Sequence, residues 1–372
     1  LIKPETEEAL AEIIKGASAP LLVQGNATKA SMLRPVQAGE TLSTAGLTGI
    51  TLYAPNELVM SARAGTTLAE IETTLAAQGQ MMIAEPSQFF GPHQTIGGIV
   101  GANISGPRRV TGGAMRDHVL GVRAVNGAGE TLRFGGRVLK NVTGLDVAKF
   151  LTGSFGTLAV MSEITFKVLP RAEATGTVVV ENIDAAEGLA VMTAGLGSPY
   201  SVSGAAYLPA TRQAVLRVEE FAESVAYRTA KLAAPFAGAH VLGTAASLAL
   251  WADIRDAAML PAGEAVWRVS MPPSAAPALL AALAPAGVAG FLDWGGGLAW
   301  LTGPASQAAH EAVCAAARAA NGAWWLVRGP ESLRAAVQTL PPESPALAAM
   351  RRRVAAAFDP RGILNPLKLR AA

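Results

Sequence analysis

The residues best suited to chemistry lie within 85–117, where glycine is dense among apolar neighbours. Glu85, Pro86, Ser87 and Gln88 open the run. His93, Thr95, Ile96, Gly97, Gly98, Gly101 and Asn103 follow, and Gly106 precedes Pro107, Arg108 and Arg109. Glycine at this density costs backbone entropy, and a fold carries it mostly where φ must be positive or where a ligand meets the main chain. Successive main-chain N–H groups in such a segment form a concave anion site, able to grip a pyrophosphate without a P-loop or a Rossmann helix. Arg108 and Arg109 would add positive charge. The same glycines also suit plain turns between strands with both arginines solvated, and spacing alone does not choose between the two readings.

Other chemistries are narrowed by what the sequence lacks. Gly127-Ala128-Gly129 approaches a dinucleotide fingerprint, but Leu132 stands where a third glycine belongs and a strand, not a helix, is expected after it. P-loop, H-E-x-x-H, C-x-x-C and G-x-S-x-G patterns do not occur. Cys314 is the single cysteine, which excludes an intrachain disulfide and a Cys-ligated iron–sulfur cluster or zinc site and fits a reducing cytoplasm. The 30 basic and 28 acidic residues nearly cancel, so no global field recruits nucleic acid.

The elements that must position these residues follow from periodicity. A chain of 372 residues exceeds one hydrophobic core, and 51% hydrophobic with 16% charged residues is a globular composition. The spacing predicts a helix over 7–16 capped by Thr6, strands over 20–24, 50–52 and 58–62, and a helix over 67–78 ending at Gly79. Hairpins are expected at 119–125 with 130–134 and at 289–294 with 298–302. The apolar stretch 275–292 is broken by Pro277, Pro285, Gly287 and Gly290, so it reads as a short helix and a strand. No basic segment followed by an apolar run opens the sequence, so secretion is not expected. A boundary at Pro170-Arg171-Ala172 divides the chain into 1–170, 171–340 and a tail, 341–372.

Four segments read together carry a resemblance. They are 22–29 (Leu22 through Gln24, Gly25, Asn26, Ala27, Thr28 and Lys29), 95–98, 153–160 and 358–366. Their order and spacing resemble the FAD-binding fold of the vanillyl-alcohol oxidase and p-cresol methylhydroxylase family, which D-lactate dehydrogenase shares. Segments 106–121 and 134–146 are similar to the FAD-binding subunits of glycolate oxidase, and the match extends over nearly the whole chain.

The resemblance implies an α+β fold: a two-subdomain FAD-binding domain of the p-cresol methylhydroxylase type, plus a cap domain with an antiparallel sheet and helices. It implies that Gln24, Gly25, Asn26, Ala27, Thr28 and Lys29 cradle the FAD pyrophosphate. Relatives carry more glycine there; Asn26 tolerates positive φ, which leaves Ala27 an ordinary conformation. Pro86, Thr95, Ile96, Gly97, Gly98, Gly101, Asn103 and Gly106 are implied to form a second loop along the ribityl and pyrophosphate. Phe155, Gly156, Thr157, Leu158 and Val160 are implied on the adenosine side, and Asn365 on the tail returning near the flavin. FAD is expected to be non-covalent, because the first loop lacks histidine, cysteine and tyrosine, with His93 as an alternative attachment point.

The implied partners are a larger FAD-binding glycolate oxidase subunit and an iron–sulfur subunit, through which the chain would sit at the inner face of the cytoplasmic membrane. Oxidising a 2-hydroxy acid needs a cation for the carboxylate and a base for the hydroxyl proton. Arg108, Arg109 and Arg116 are candidates for the first, His93 and His118 for the second; Asp117-His118 reads equally as a structural pair, and His240 and His310 as surface or edge residues. The H-x-G-D-G-N-x-H motif of the larger subunit is missing. Three readings stand: a component of a glycolate-oxidising complex, a self-sufficient oxidoreductase of a small hydroxy acid or alcohol, and a scaffold. Histidine poverty favours the first over the second, and the glycine segments favour it over the third.

Overall fold

The computed structural model describes residues 1–136 and 146–370; most of the 134–146 resemblance therefore lies outside the described residues. Thr6 accepts from the Ala9 amide and caps the helix Glu7–Gly16, which buries Leu10 and Ile14. The strand Leu21–Gln24 then pairs in parallel with Glu40–Ser43. A larger sheet runs in the order Ile50–Ala54, Val59–Arg63, Ala159–Pro170, Val119–Asn126 and Thr131–Gly135, with Gln80–Met82 paired antiparallel to the last residues of the long strand Ala159–Pro170. The helices Leu68–Ala76 and Ile96–Ala102 cover it, and Ile71, Ile99, Val122, Ile164 and Phe166 form its core.

The second body is an eight-stranded antiparallel sheet. Both expected hairpins form, the second as Ala289–Asp293 with Leu298–Gly303. Alternation sends neighbouring residues to opposite faces. Val178, Leu216 and Trp267 pack under the helices Ala185–Leu196 and Gln307–Ala319, whereas Val179, Val215 and Val266 face Trp251 and Phe89. The Trp-rich hairpin is core: Trp300 is buried against Phe89, with ring centroids 5.6 Å apart.

Phe89 comes from the first body, and the contact is reinforced by buried charge. Arg217 on the strand Gln213–Glu220 is 1% exposed; its guanidinium donates to Glu85 Oε1 at 2.8 Å and stacks on Trp251. Arg108 donates to Glu219 at 3.0 and 2.8 Å and lies 3.4 Å from Glu85. Burial by itself would raise both carboxyl pKa values, but the two arginines outweigh it: Glu85 is held below the usual carboxylate range and Glu219 at about 2. Arg217→Met is expected to leave Glu85 with Arg108 as its one remaining cation and cost about 3 kcal/mol in urea unfolding at neutral pH, with part of the loss recovered in Arg217→Met/Glu85→Gln. Additive losses in that double variant would show that the pair is not coupled.

Candidate cofactor site

Where the strand Leu21–Gln24 ends, the chain turns sharply. A Cβ at Gly25 would collide with Thr95 Oγ1, so only glycine lets the loop lie against the segment that starts at Thr95. Ser43 Oγ donates to the Gly25 carbonyl at 2.9 Å, and the Ala27 and Lys29 carbonyls accept from the amides of Ala30 and Met32. Ala27, not Asn26, takes the left-handed conformation, with φ of 57°. This corrects the sequence expectation: Asn26 instead spends its side chain on the His93 carbonyl, 2.9 Å away. Among the described residues, none of the main-chain N–H groups from Gly25 to Lys29 donates to a protein acceptor.

The segment after Thr95 is not the loop expected from its glycines. It is a short helix, Ile96–Ala102, whose N-cap Thr95 accepts from the Gly98 amide at 3.2 Å. The Ile96 and Gly97 amides donate to the Thr66 and Ala64 carbonyls at 2.9 and 2.8 Å, so they are not open to an anion. The two glycines do different work. A Cβ at Gly97 would lie 2.8 Å from Ala64 Cβ and 2.9 Å from its carbonyl oxygen, whereas one at Gly98 would meet nothing nearer than Thr95 Oγ1 at 3.3 Å. Gly97 seats the helix, while Gly98 and, one turn later, Gly101 open its surface.

These elements enclose a cavity of about 530 Å³, a size common for cofactor sites. Of the sequence candidates, Gln24 to Lys29, Thr95, Gly97, Gly98, Gly101, Phe155, Gly156, Val160 and Asn365 line it. Asn365 ties three segments together: its Oδ1 accepts from Val23 N at 2.8 Å, and its Nδ2 donates to the carbonyls of Val23 and Phe155 at 3.0 and 2.8 Å. Pro86, Ile96, Asn103, Gly106, Thr157 and Leu158 stand off the wall. Ile96 is core, Asn103 caps the short helix and accepts from Arg116 N, and Gly106 packs on the Glu85 carbonyl while accepting from Trp294 Nε1.

Sequence reasoning missed two cations in the wall, Arg334 and Lys368. Arg334 is buried and donates to the carbonyls of Gly329 and Leu33. Lys368 Nζ donates to the Met32 carbonyl at 2.6 Å, and burial together with Arg334 brings its pKa down to about 8. Lys368, three residues after Asn365, had a signal in its position on the tail; Arg334 sits in a segment assigned to the cap and had none. The wall thus offers unbonded amides and cations beside apolar Leu22, Val23, Val36 and Met161, which fits a dinucleotide: polar donors for a diphosphate, apolar surface for flat rings.

The acid–base candidates lie elsewhere. Arg108 is committed to Glu85 and Glu219, Arg109 stacks on Trp294 with its guanidinium 4.5 Å from the ring centroid, and Arg116 and His93 are exposed. His118 is buried with Nε2 unpartnered, and no ion pair joins it to Asp117 among the described residues. His310 is 3% exposed, contrary to the surface placement expected for it. Its Nδ1 accepts from Trp267 Nε1 at 3.1 Å, so the proton sits on Nε2, which faces the Gln338 carbonyl and Cys314 Sγ. That imidazole cannot take the thiol proton, and burial pushes the Cys314 pKa up to about 11.

Two expectations follow. Gly98→Leu fills the cavity without touching the backbone of another element and is expected to weaken FAD binding about ten- to a hundred-fold, measured by flavin fluorescence, with an unchanged unfolding midpoint. Gly97→Ala is expected to lower stability by about 1–3 kcal/mol instead. Ala27→Gly is expected to relieve the left-handed strain and raise stability by about 0.5–1 kcal/mol in a thermal melt; a drop would mean that this loop conformation is not strained.

Comparisons with known proteins place the chain in a family. The FAD binding domain family matches residues 1–135. The glycolate oxidase subunit GlcE of Escherichia coli (strain K12) is 34% identical over 356 residues, which is 95% of this chain and 93% of that protein. A D-lactate dehydrogenase of Archaeoglobus fulgidus is 31% identical over 175 residues, 46% of this chain and 39% of its own. Among solved structures, an alkyldihydroxyacetonephosphate synthase superposes with a TM-score of 0.71 at 14% identity, covering 98% of this chain and 75% of that one, which supports the fold alone. With an FAD binding domain matched over its first part and a relative matched nearly end to end, the chain belongs to the family of the glycolate oxidase subunit GlcE, FAD-binding oxidoreductase proteins.

Proposed function

We propose that the protein is the FAD-binding subunit of a glycolate-oxidising complex. It holds FAD non-covalently and passes electrons between a larger flavoprotein subunit and an iron–sulfur subunit, or organises their assembly. The observation that carries this reading is the cavity wall of unbonded amides from Gly25 to Lys29. FAD supplies two-electron acceptance when bound; the chain's own residues bind and orient it. The described lining residues include no histidine, cysteine or tyrosine, which supports a dissociable cofactor.

The placement of the other functional groups supports a partnered role. Neither the histidines nor Arg108, Arg109 and Arg116 line the cavity, so the groups that would hold a hydroxy acid and remove its proton are assigned to the larger subunit. The lone buried Cys314 builds no iron–sulfur relay, so onward transfer is assigned to another chain. Among the described residues no helix is long and apolar enough to cross a membrane. Membrane association, in this reading, comes through the partners at the inner face of the cytoplasmic membrane.

Purified protein is expected to be yellow, to release its flavin in acid, and to keep its oxidised spectrum when glycolate is added anaerobically. Bleaching is expected once the larger subunit is present. Bleaching by glycolate alone would favour a self-sufficient oxidoreductase, and a colourless protein that takes up no flavin would favour a scaffold.

A further inference from the structure

Lys29 closes the row of open amides, and its side chain lies along the cavity wall. Its Nζ donates to Gln94 Oε1 at 2.6 Å and stands 5.4 Å from the centroid of the Phe90 ring. A Cβ at Gly98 would be 3.6 Å from the same Nζ, so the amine borders the space that Gly98 keeps open. Gln94 is fully buried and fixed by its own Nε2, which donates to the Ser87 carbonyl at 2.7 Å; its oxygen is therefore held toward Lys29. The charged groups facing the cavity from neighbouring elements are Glu331 and Arg334 on the helix Glu331–Ala336 and Lys368 on the tail. Among the described residues none of them pairs with Lys29, and Arg334 and Lys368 are engaged by main-chain carbonyls.

A desolvated amine whose partner is a neutral amide holds its proton weakly, and burial brings Lys29 down to about 7. We propose that Lys29 is the charge-compensating group of the cofactor site: it takes up a solvent proton as the anionic part of FAD enters and releases it as FAD leaves, so that cofactor retention depends on pH. The step adds one proton to the amine lone pair and forms no covalent bond to the cofactor. The inference rests on the cavity being the FAD site.

The sign follows from linkage. Negative charge in the cavity raises the Lys29 pKa above its value in the free protein, so binding draws in a proton between the two values. Affinity is then greatest below about pH 7 and falls about tenfold per pH unit above it until the bound-state pKa is passed.

The test is to titrate FAD into the flavin-free full chain between about pH 6 and 9, following flavin fluorescence, with calorimetry in phosphate and in Tris to count protons taken up. All arms carry Lys368→Arg, which keeps the other wall amine of depressed pKa charged throughout, and in that background the native Lys29 is expected to take up close to one proton near pH 8. Lys29→Arg, charged throughout, is expected to bind FAD with no uptake and a flat pH profile; Lys29→Met is expected to bind more weakly, also without slope. A slope that persists when Lys29 and Lys368 are both arginine, or binding without proton uptake where Lys29 is kept, would overturn the assignment. A wild type that binds no FAD at all would instead overturn the identification of the cavity.

Discussion

A main-chain N–H that no protein acceptor meets is left for water or for a ligand, and the loop from Gly25 to Lys29, which lines the cavity, carries such groups in succession. The surrounding structure is built to keep them open. Carbonyls of the loop and of the turn after it are occupied: Ser43 takes the Gly25 oxygen, the Ala30 and Met32 amides those of Ala27 and Lys29, Lys368 that of Met32 and Arg334 that of Leu33. The residues of the loop line the cavity, and among the described residues no protein acceptor meets their amides. Ala27 adopts a left-handed conformation unfavourable for an alanine, the kind of local strain that persists where neighbouring contacts over-determine the backbone.

The rest of the fold divides around this constraint. The helix Ile96–Ala102 satisfies its first amides from the protein and contributes shape, with Gly97 against Ala64 and Gly98 leaving room. Asn365 brings the tail back to the strand Leu21–Gln24 and to Phe155, so a residue near the end of the chain fixes two walls of the cavity at once. The eight-stranded sheet is held against the first body by Phe89 and by the Glu85, Arg108, Arg217 and Glu219 cluster. That cluster consumes Arg108, one of the three arginines offered to a substrate by the sequence. The chain is thus furnished to hold a redox cofactor, while groups for proton abstraction lie elsewhere in it, which is the division of labour expected of one subunit among several.

What was legible in the sequence was whatever depends on local pattern. Thr6 announced its helix, the alternation around residues 119–134 and 289–302 announced both hairpins, and the four spaced glycine segments brought the family into view. Less legible was the use each glycine is put to, because Gly25, Gly97 and Gly106 are required by contacts with residues far along the chain: Thr95, Ala64 and Glu85. The exchange of roles between Asn26 and Ala27 had the same origin, since the Asn26 side chain is drawn to His93 by tertiary placement. Arg334 and Lys368 reach the cavity only because the polypeptide returns to its beginning, and His310 is buried because Trp267 and Gln338 come to meet it. None of those approaches leaves a periodic trace.

The most direct measurement is amide hydrogen exchange resolved to the peptide spanning Gln24 to Ser31, with and without saturating FAD. Exchange of the Gly25 to Lys29 amides is expected to be fast in the flavin-free protein and strongly slowed by the cofactor, while the Ile96 and Gly97 amides, already bonded to Thr66 and Ala64, change far less. Unaltered exchange from Gly25 to Lys29 in a protein shown to be saturated with FAD would contradict the claim that this loop grips the cofactor through its main chain.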